Sequence, residues 1–282
     1  MPASTIDAAS APPNAEKQLG THGWPARLNV IGIGVTPTTY EDAVQTILHA
    51  AERRESGVVS CHAVHAVVTC GGDAKLRERV NRFDMITPDG QPVRWALNWL
   101  YGAGLSERVY GPELTMRLCR AAAQRGVSIY LYGGSPRVVE RLSENLRQAC
   151  PGLVIAGAES PPFRELTAEE DEAVVQRIND SGAGLVFIGL GCPKQDIFAA
   201  EHRDRIRSIQ LCVGAAFDFH AGEKQTAPAW MQQRGLEWLF RLWQEPRRLW
   251  KRYLVTNTQF VTRLFAQRVR NAFAGPAENI GK

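Results

Sequence analysis

Residues 185–196 read LVFIGLGCPKQD. Leu185, Val186, Phe187 and Ile188 form an apolar run of branched and aromatic side chains, which suits a parallel strand covered on both faces. Gly189 and Gly191 follow and allow a tight turn with close approach of a ligand to the backbone. Pro193 can open a helix, because its missing N–H falls where no intrahelical partner exists. Lys194, Gln195 and Asp196 complete the stretch. In an open α/β sheet ligands bind beyond the carboxyl ends of such strands, so this junction is the first candidate pocket. Taken alone, it also fits an ordinary strand–turn–helix connection.

The same rhythm extends in both directions. Strands are expected at 28–35 (LNVIGIGV), 57–61 (GVVSC), 127–134 (VSIYLYGG), 152–157 and 210–217. Asp84 to Ile86 leads into the turn Thr87-Pro88-Asp89-Gly90. Helices are expected at 40–54, capped by Thr38 or Thr39, and from His62 to a break at Gly71-Gly72. Further helices are read around 93–100, at 111–125, from Pro136 to 148, at 168–180 and at 194–206. This alternation predicts an α/β fold with a mostly parallel, layered, Rossmann-like sheet. Neither a GxGxxG dinucleotide opening nor a GxxxxGK[ST] loop is present, so no cofactor is expected.

With 282 residues, 44% of them hydrophobic, the chain is long enough for one large α/β domain or two small ones. Its charge is unevenly placed. Residues 234–282 hold ten Lys/Arg against three Asp/Glu, whereas residues 1–233 hold 23 against 26. A basic tail on a slightly acidic body points to a phosphate-rich surface. Six cysteines occur singly, without CxxC, which fits reduced thiols in a cytosolic protein. The first twenty residues lack an apolar signal-peptide core, and no run reaches the roughly 18–20 apolar residues of a bilayer span. Any membrane attachment is therefore expected to be peripheral.

From Trp230 the texture becomes WMQQRGLEWLFRLWQEPRRLWKRYL. Apolar positions three and four apart alternate with Arg241, Arg247, Arg248 and Arg252. That pattern suits an interfacial amphipathic segment on anionic lipid, or a core-packing helix with a solvated basic back. Glu245-Pro246 should divide it into two helices. The expected organisation is a flexible segment over 1–24, an α/β domain over 25–230, the appendage over 231–270 and a flexible tail over 271–282.

Several side chains can carry chemistry. Asp89, in its tight turn, suits a general base or a hydroxyl-binding group. His62 and His65 could share a helix face, but no spaced acid or thiol completes a metal set, so none is expected. Arg108, ahead of Gly111-Pro112, suits phosphate or a salt bridge. Gln195, Asp196 and Asp218 follow strand ends and suit sugar or base edges. Ser60 and Cys61 lack the orienting group of a nucleophilic site.

Together, TPDG (87–90), ERVYGPEL (107–114), YLYGGSP (130–136), FIGLGCPKQD (187–196), GAAFDFHAG (214–222), APAW (227–230) and GLEWLFRLWQEPRRLWKRYL (235–254) resemble the bacterial WecG/TagA/CpsF glycosyltransferases. The resemblance runs from about Leu28 to Tyr253. It implies inverting, metal-independent sugar transfer from a nucleoside diphosphate donor, usually a uridine diphosphate sugar, to a polyprenyl-diphosphate-linked acceptor. It assigns Asp89 as base and places Arg108 and Gln195 at the substrate. Ser60, His62, Gly133, Gly134, Gly189, Gly191, Asp196 and Asp218 join them as candidate binding residues. Arg241, Arg247, Arg248 and Arg252 become phosphate or membrane contacts of an appendage that closes over the site at the cytoplasmic face of the membrane.

Partners implied are the donor, the lipid-linked glycan and an anionic membrane. A homo-oligomer is compatible with the sequence, and no nucleic acid is expected. A membrane-associated scaffold or phosphate-binding protein is the alternative. The chain departs from the family where TxNxE is replaced by Ser60-Cys61-His62-Ala63-Val64, where PxQE ends in Asp196, and where Thr226 stands in place of an arginine. These departures leave the donor sugar open among glucose, N-acetylmannosamine and its uronic acid.

Overall fold

The computed structural model describes residues 23–228, 230–231 and 234–274. Its centre is a six-stranded sheet of β3 (Gly57–His62), β4 (Met85–Pro88), β5 (Ile129–Gly133), β6 (Ile155–Glu159), β7 (Leu185–Gly189) and β8 (Ile209–Cys212). Strand order is β4-β3-β8-β7-β5-β6, and every pairing is parallel. The expected α/β layering is therefore observed. A separate antiparallel hairpin, β1 (Leu28–Val30) and β2 (Ile33–Val35), precedes it.

Helices cover both faces. They are α1 (Tyr40–Glu52), α2 (Val64–Gly72), α3 (Ala74–Val80), α4 (Gln91–Tyr101), α5 (Gly111–Arg125) and α6 (Pro136–Ala149). They continue with α7 (Ala168–Asp180), α8 (Lys194–Glu201), α9 (Ala216–His220), α10 (Glu237–Gln244) and α11 (Pro246–Ala274). Because side chains alternate along a strand, the sheet divides its apolar residues between two cores. Val59, Leu131, Phe187 and Leu211 face α1, α5 and α6. Val58, Tyr130, Val186 and Ile188 face α2, α4, α7 and α8. Local signals start several helices: Thr39 Oγ1 accepts from the Asp42 N–H, Ser135 Oγ from Val138, and Thr167 with Glu170 forms a capping box.

Some boundaries differ from the sequence reading. The run 28–35 is a hairpin, reversed at Ile31 (φ 47°) and Gly32 (φ 101°). Residues 210–217 do not form one strand, because the chain turns at Gly214 (φ 52°) and enters α9. His62 ends β3, paired in register with Pro88, and does not begin a helix. Gly71-Gly72 lies inside α2. A Cβ at Gly71 would lie 3.0 Å from the Ile31 carbonyl oxygen, so that glycine lets the hairpin pack against the helix. The helix after Pro193 stops at Glu201.

The division at Glu245-Pro246 is observed, but α11 extends to Ala274, past the expected end of the appendage. It is docked on the body. Phe260 and Gln267 are buried. Gln267 Oε1 accepts from the Ile31 N–H (2.7 Å), and its Nε2 donates to the Asn29 carbonyl (2.8 Å). The flexibility expected for 1–24 and 271–282 concerns mainly residues 1–22 and 275–282, which lie outside the described residues.

Gly133 and Gly189 are register partners where β5 and β7 end. A Cβ on Gly133 would lie 2.6 Å from the Gly189 carbonyl carbon, and one on Gly189 would lie 2.5 Å from the Phe217 ring. Gly189→Ala should therefore lose about 1–3 kcal/mol of stability through overpacking, read as a lower urea midpoint with an unchanged denaturant slope.

Candidate active site

The candidate residues gather at the carboxyl edge of the sheet, which is where the chain leaves β3, β4, β5, β7 and β8. Asp89 follows β4, and its N–H donates to the His62 carbonyl (3.2 Å). Its Oδ2 accepts from Gly111 N–H (3.3 Å), at the start of α5. Burial pushes the Asp89 carboxyl up to about 6, against the opposing pull of Arg108 and Arg241. The group is ionised at neutral pH yet more basic than an ordinary aspartate.

Beside it is a cleft of about 530 Å³ whose lining includes Tyr40, Gln91, Arg108, Tyr110, His220 and Thr226. The Arg108 guanidinium lies 4.5 Å from the Tyr110 ring centroid and forms an ion pair with Glu237. Arg241, from α10, pairs with the other oxygen of Glu237 (3.0 Å) and donates to Tyr110 Oη (2.9 Å). It also lies 4.9 Å from the Phe219 ring centroid. Burial alone would raise the Glu237 pKa, but Arg241 and Arg108 hold it below the usual range. Two arginines from distant segments thus converge on one carboxylate next to Asp89. Glu237 was not singled out in the sequence, where a lone acid between two tryptophan-rich turns gives no sign of its partners.

Three strands away from β4, Gln195 Oε1 accepts from the Gly191 N–H (3.1 Å), folding the GLGCPKQD loop on itself. Gly191 (φ 76°) has open space around its Cα. The sequence marks Gly189 and Gly191 for close approach of a ligand to the backbone, and Gly133 as a candidate binding residue. A Cβ at Gly133 would meet the Gly189 backbone and one at Gly189 the Phe217 ring, so packing by itself requires glycine at both positions. At Gly134 (φ 69°) the N–H donates to the Gly189 carbonyl (3.2 Å), and a Cβ would meet Val138.

Ser60, His62 and Asp196 lie on the other face of β3 from Cys61. Ser60 Oγ donates to Asp196 Oδ1 (2.7 Å), and His62 Nε2 lies 3.0 Å from the same oxygen. All three are fully buried. Burial would raise the Asp196 pKa, but His62 and three hydrogen bonds hold it down; His62 is correspondingly shifted up despite its own desolvation. The two departures from the family pattern, His62 and Asp196, therefore touch each other, the longer side chain meeting the shorter.

Asp218 is paired with Lys224 (2.6 Å). Among the tail arginines, Arg241 joins the Arg108–Glu237 cluster beside the cleft. Arg247 is exposed on α11, Arg252 stands near His65 of α2, and the side chain of Arg248 lies outside the described residues.

The model of the glycosyl transferase WecG/TagA/CpsF family matches residues 28–274, and the chain belongs to that family. Membership makes it a glycosyltransferase, a class that joins a sugar donor to a glycan acceptor in polysaccharide synthesis.

A carboxyl whose pKa is raised by folding binds its proton more tightly in the native state, so it subtracts stability as pH rises from about 4 to above 6. Asp89→Asn removes that ionisation. In urea titrations the variant should exceed the wild type by about 1–2 kcal/mol at pH 8, with the gap closing below pH 4.

Proposed function

We propose that this member of the WecG/TagA/CpsF family performs inverting transfer of a sugar from a nucleoside diphosphate donor, preferentially uridine diphosphate-linked, to a polyprenyl-diphosphate-linked saccharide. The observation that carries this reading is Asp89, tuned to about 6 and set beside Arg108 and Arg241. Asp89 takes the proton of an acceptor hydroxyl as that oxygen bonds to the anomeric carbon. On the opposite face the bond from that carbon to the diphosphate breaks, and the leaving group departs with the electron pair. Asp89 is mainly ionised at neutral pH, and its raised pKa gives it more driving force as a base than an ordinary aspartate.

Charge on the leaving diphosphate calls for preorganised donors. Arg108 and Arg241 supply planar, bidentate-capable guanidinium groups. Both are paired with Glu237 in this structure, so an entering diphosphate exchanges with that carboxylate. Transfer by this route uses arginines where other transferases use a divalent ion. Gln195, Gly191 and Asp218 are assigned to the substrate, with the reaction serving exopolysaccharide or cell-surface polysaccharide assembly.

The lipid-linked acceptor places the work at the inner face of the cell membrane, with peripheral attachment. Among the described residues no helix is long and apolar enough to cross a membrane. Exposed apolar side chains instead run along the appendage, among them Trp243, Trp250, Leu254, Val261, Phe265 and Phe273. Arg247 and Lys251 stand on the same helix as cations for anionic headgroups.

Asp89→Asn should lower kcat by about 10²–10⁴-fold with donor and lipid acceptor binding preserved. The wild-type kcat should fall tenfold per pH unit below about 6, following Asp89 protonation. Near-wild-type turnover in the variant would remove Asp89 as the base. For attachment, Trp243→Ser with Leu254→Ser should weaken sedimentation with anionic phospholipid vesicles by about tenfold or more, because each lost anchor is worth about 1.5–3 kcal/mol. Unchanged sedimentation would refute membrane docking by this face.

A further inference from the structure

Behind the cleft, on the opposite face of β3, four groups with metal-ligating chemistry converge from three chain segments. His62 ends β3, Cys70 lies on α2, and Cys192 and Asp196 flank Pro193 at the start of α8. Ligand atoms of His62, Cys70 and Asp196 all lie within 4.8 Å of one another, and all three residues are buried. The Cys192 thiol interacts with both Cys70 and Asp196. In the sequence these residues have no recognisable metal spacing, and the sheet topology alone assembles them.

Two observations point to a cation. His62 Nδ1 and Asp196 Oδ2 are fully buried, and neither has a hydrogen-bond partner among the described residues. Unsatisfied polar atoms of this kind are rare and costly. The second observation is geometric. Tetrahedral zinc, with bonds of about 2.0–2.3 Å, places neighbouring ligand atoms roughly 3.3–3.8 Å apart. Ligand atoms of His62, Cys70 and Asp196 lie within 4.8 Å of one another, so closing on an ion takes an inward movement of about 1 Å and exchanges the His62–Asp196 hydrogen bond for metal bonds.

We propose that His62, Cys70, Cys192 and Asp196 form a structural site for a thiophilic divalent cation of the zinc type. One imidazole, one carboxylate and two sulfurs suit zinc or cobalt, whereas magnesium and calcium need oxygen ligands. Ser60, donating to Asp196 Oδ1, orients that carboxylate from outside the ligand set. Loading displaces the thiol protons to solvent, and half-buried Cys192 provides the way in. The ion ties the GLGCPKQD loop to β3 and α2, fixing Gln195 and Gly191 without touching Asp89. The ligand side chains lie on the opposite face of β3 from Asp89, so the ion holds the substrate loop without entering the reacting face.

The test is cobalt titration of the full chain after chelator treatment. One equivalent of Co²⁺ should produce a thiolate-to-cobalt charge-transfer band with tetrahedral d–d absorption, and Zn²⁺ should bleach it. Zinc should also raise the thermal midpoint by several degrees. Cys70→Ser and Cys192→Ser should each weaken the band and lower affinity by about 100-fold or more, while Cys150→Ser retains both. If Cys70→Ser fails to fold, the wild-type titration and the half-buried Cys192→Ser decide the matter. Absence of the band in folded wild type, or its survival in both thiol variants, overturns the proposal.

Discussion

Glu237 is the point on which the cleft is organised. Arg108 comes from the loop ahead of α5, and Arg241 from α10, more than a hundred residues later. Each would repel the other if the carboxylate between them were absent. The pairs are largely buried, so their Coulomb attraction is weakly screened while their desolvation is expensive. Such a cluster contributes less to net stability than to geometry. It fixes α10 against Tyr110 and Phe219, two residues that line the cleft. The carboxy-terminal helices therefore act on the pocket from behind, through Arg108, Tyr110 and Phe219.

Strand alternation separates two kinds of chemistry at one sheet edge. Cys61 points toward Asp89 and Gly111, while Ser60 and His62 point the other way toward Asp196. One residue of displacement along β3 thus moves a side chain from the proposed reacting face to the buried polar cluster. The pairing of His62 with Asp196 also explains how two departures from the family pattern coexist: a longer base and a shorter acid close the same gap together.

Much of this was legible in the chain itself. The apolar runs at 57–61 and 185–188, the cap at Thr38 or Thr39, the helix start at Pro136 and the Pro246 division follow from local chemistry. The hairpin at 28–35 was not, because a reversal at Ile31 uses a branched residue where turn signals favour Asn or Gly. Val213 to Phe217 looked strand-like in composition, and only Gly214 marked the change to α9. Asp89 and Arg108 were singled out from their motifs, but the basic shift of Asp89 depends on burial that no spacing reveals. Glu237 and Cys70 were missed because each has a partner more than a hundred residues away, Arg108 for one and Asp196 for the other, brought near only by topology.

The contact of Gln267 with the first hairpin has a consequence in time. Its two hydrogen bonds span 236 and 238 residues, so they close one of the longest loops the chain can make. At synthesis rates of about 5–20 residues per second, the hairpin emerges on the order of ten seconds or more before its partner. Over that interval the Ile31 amide is left to water, the Asn29 carbonyl has only its Tyr101 partner, and the surface later covered by Phe260 is open. Completion of the body and arrival of the aromatic appendage are consequently a single late event. The nascent chain gains its row of exposed aromatic and aliphatic side chains on α11 only after the sheet has been synthesised.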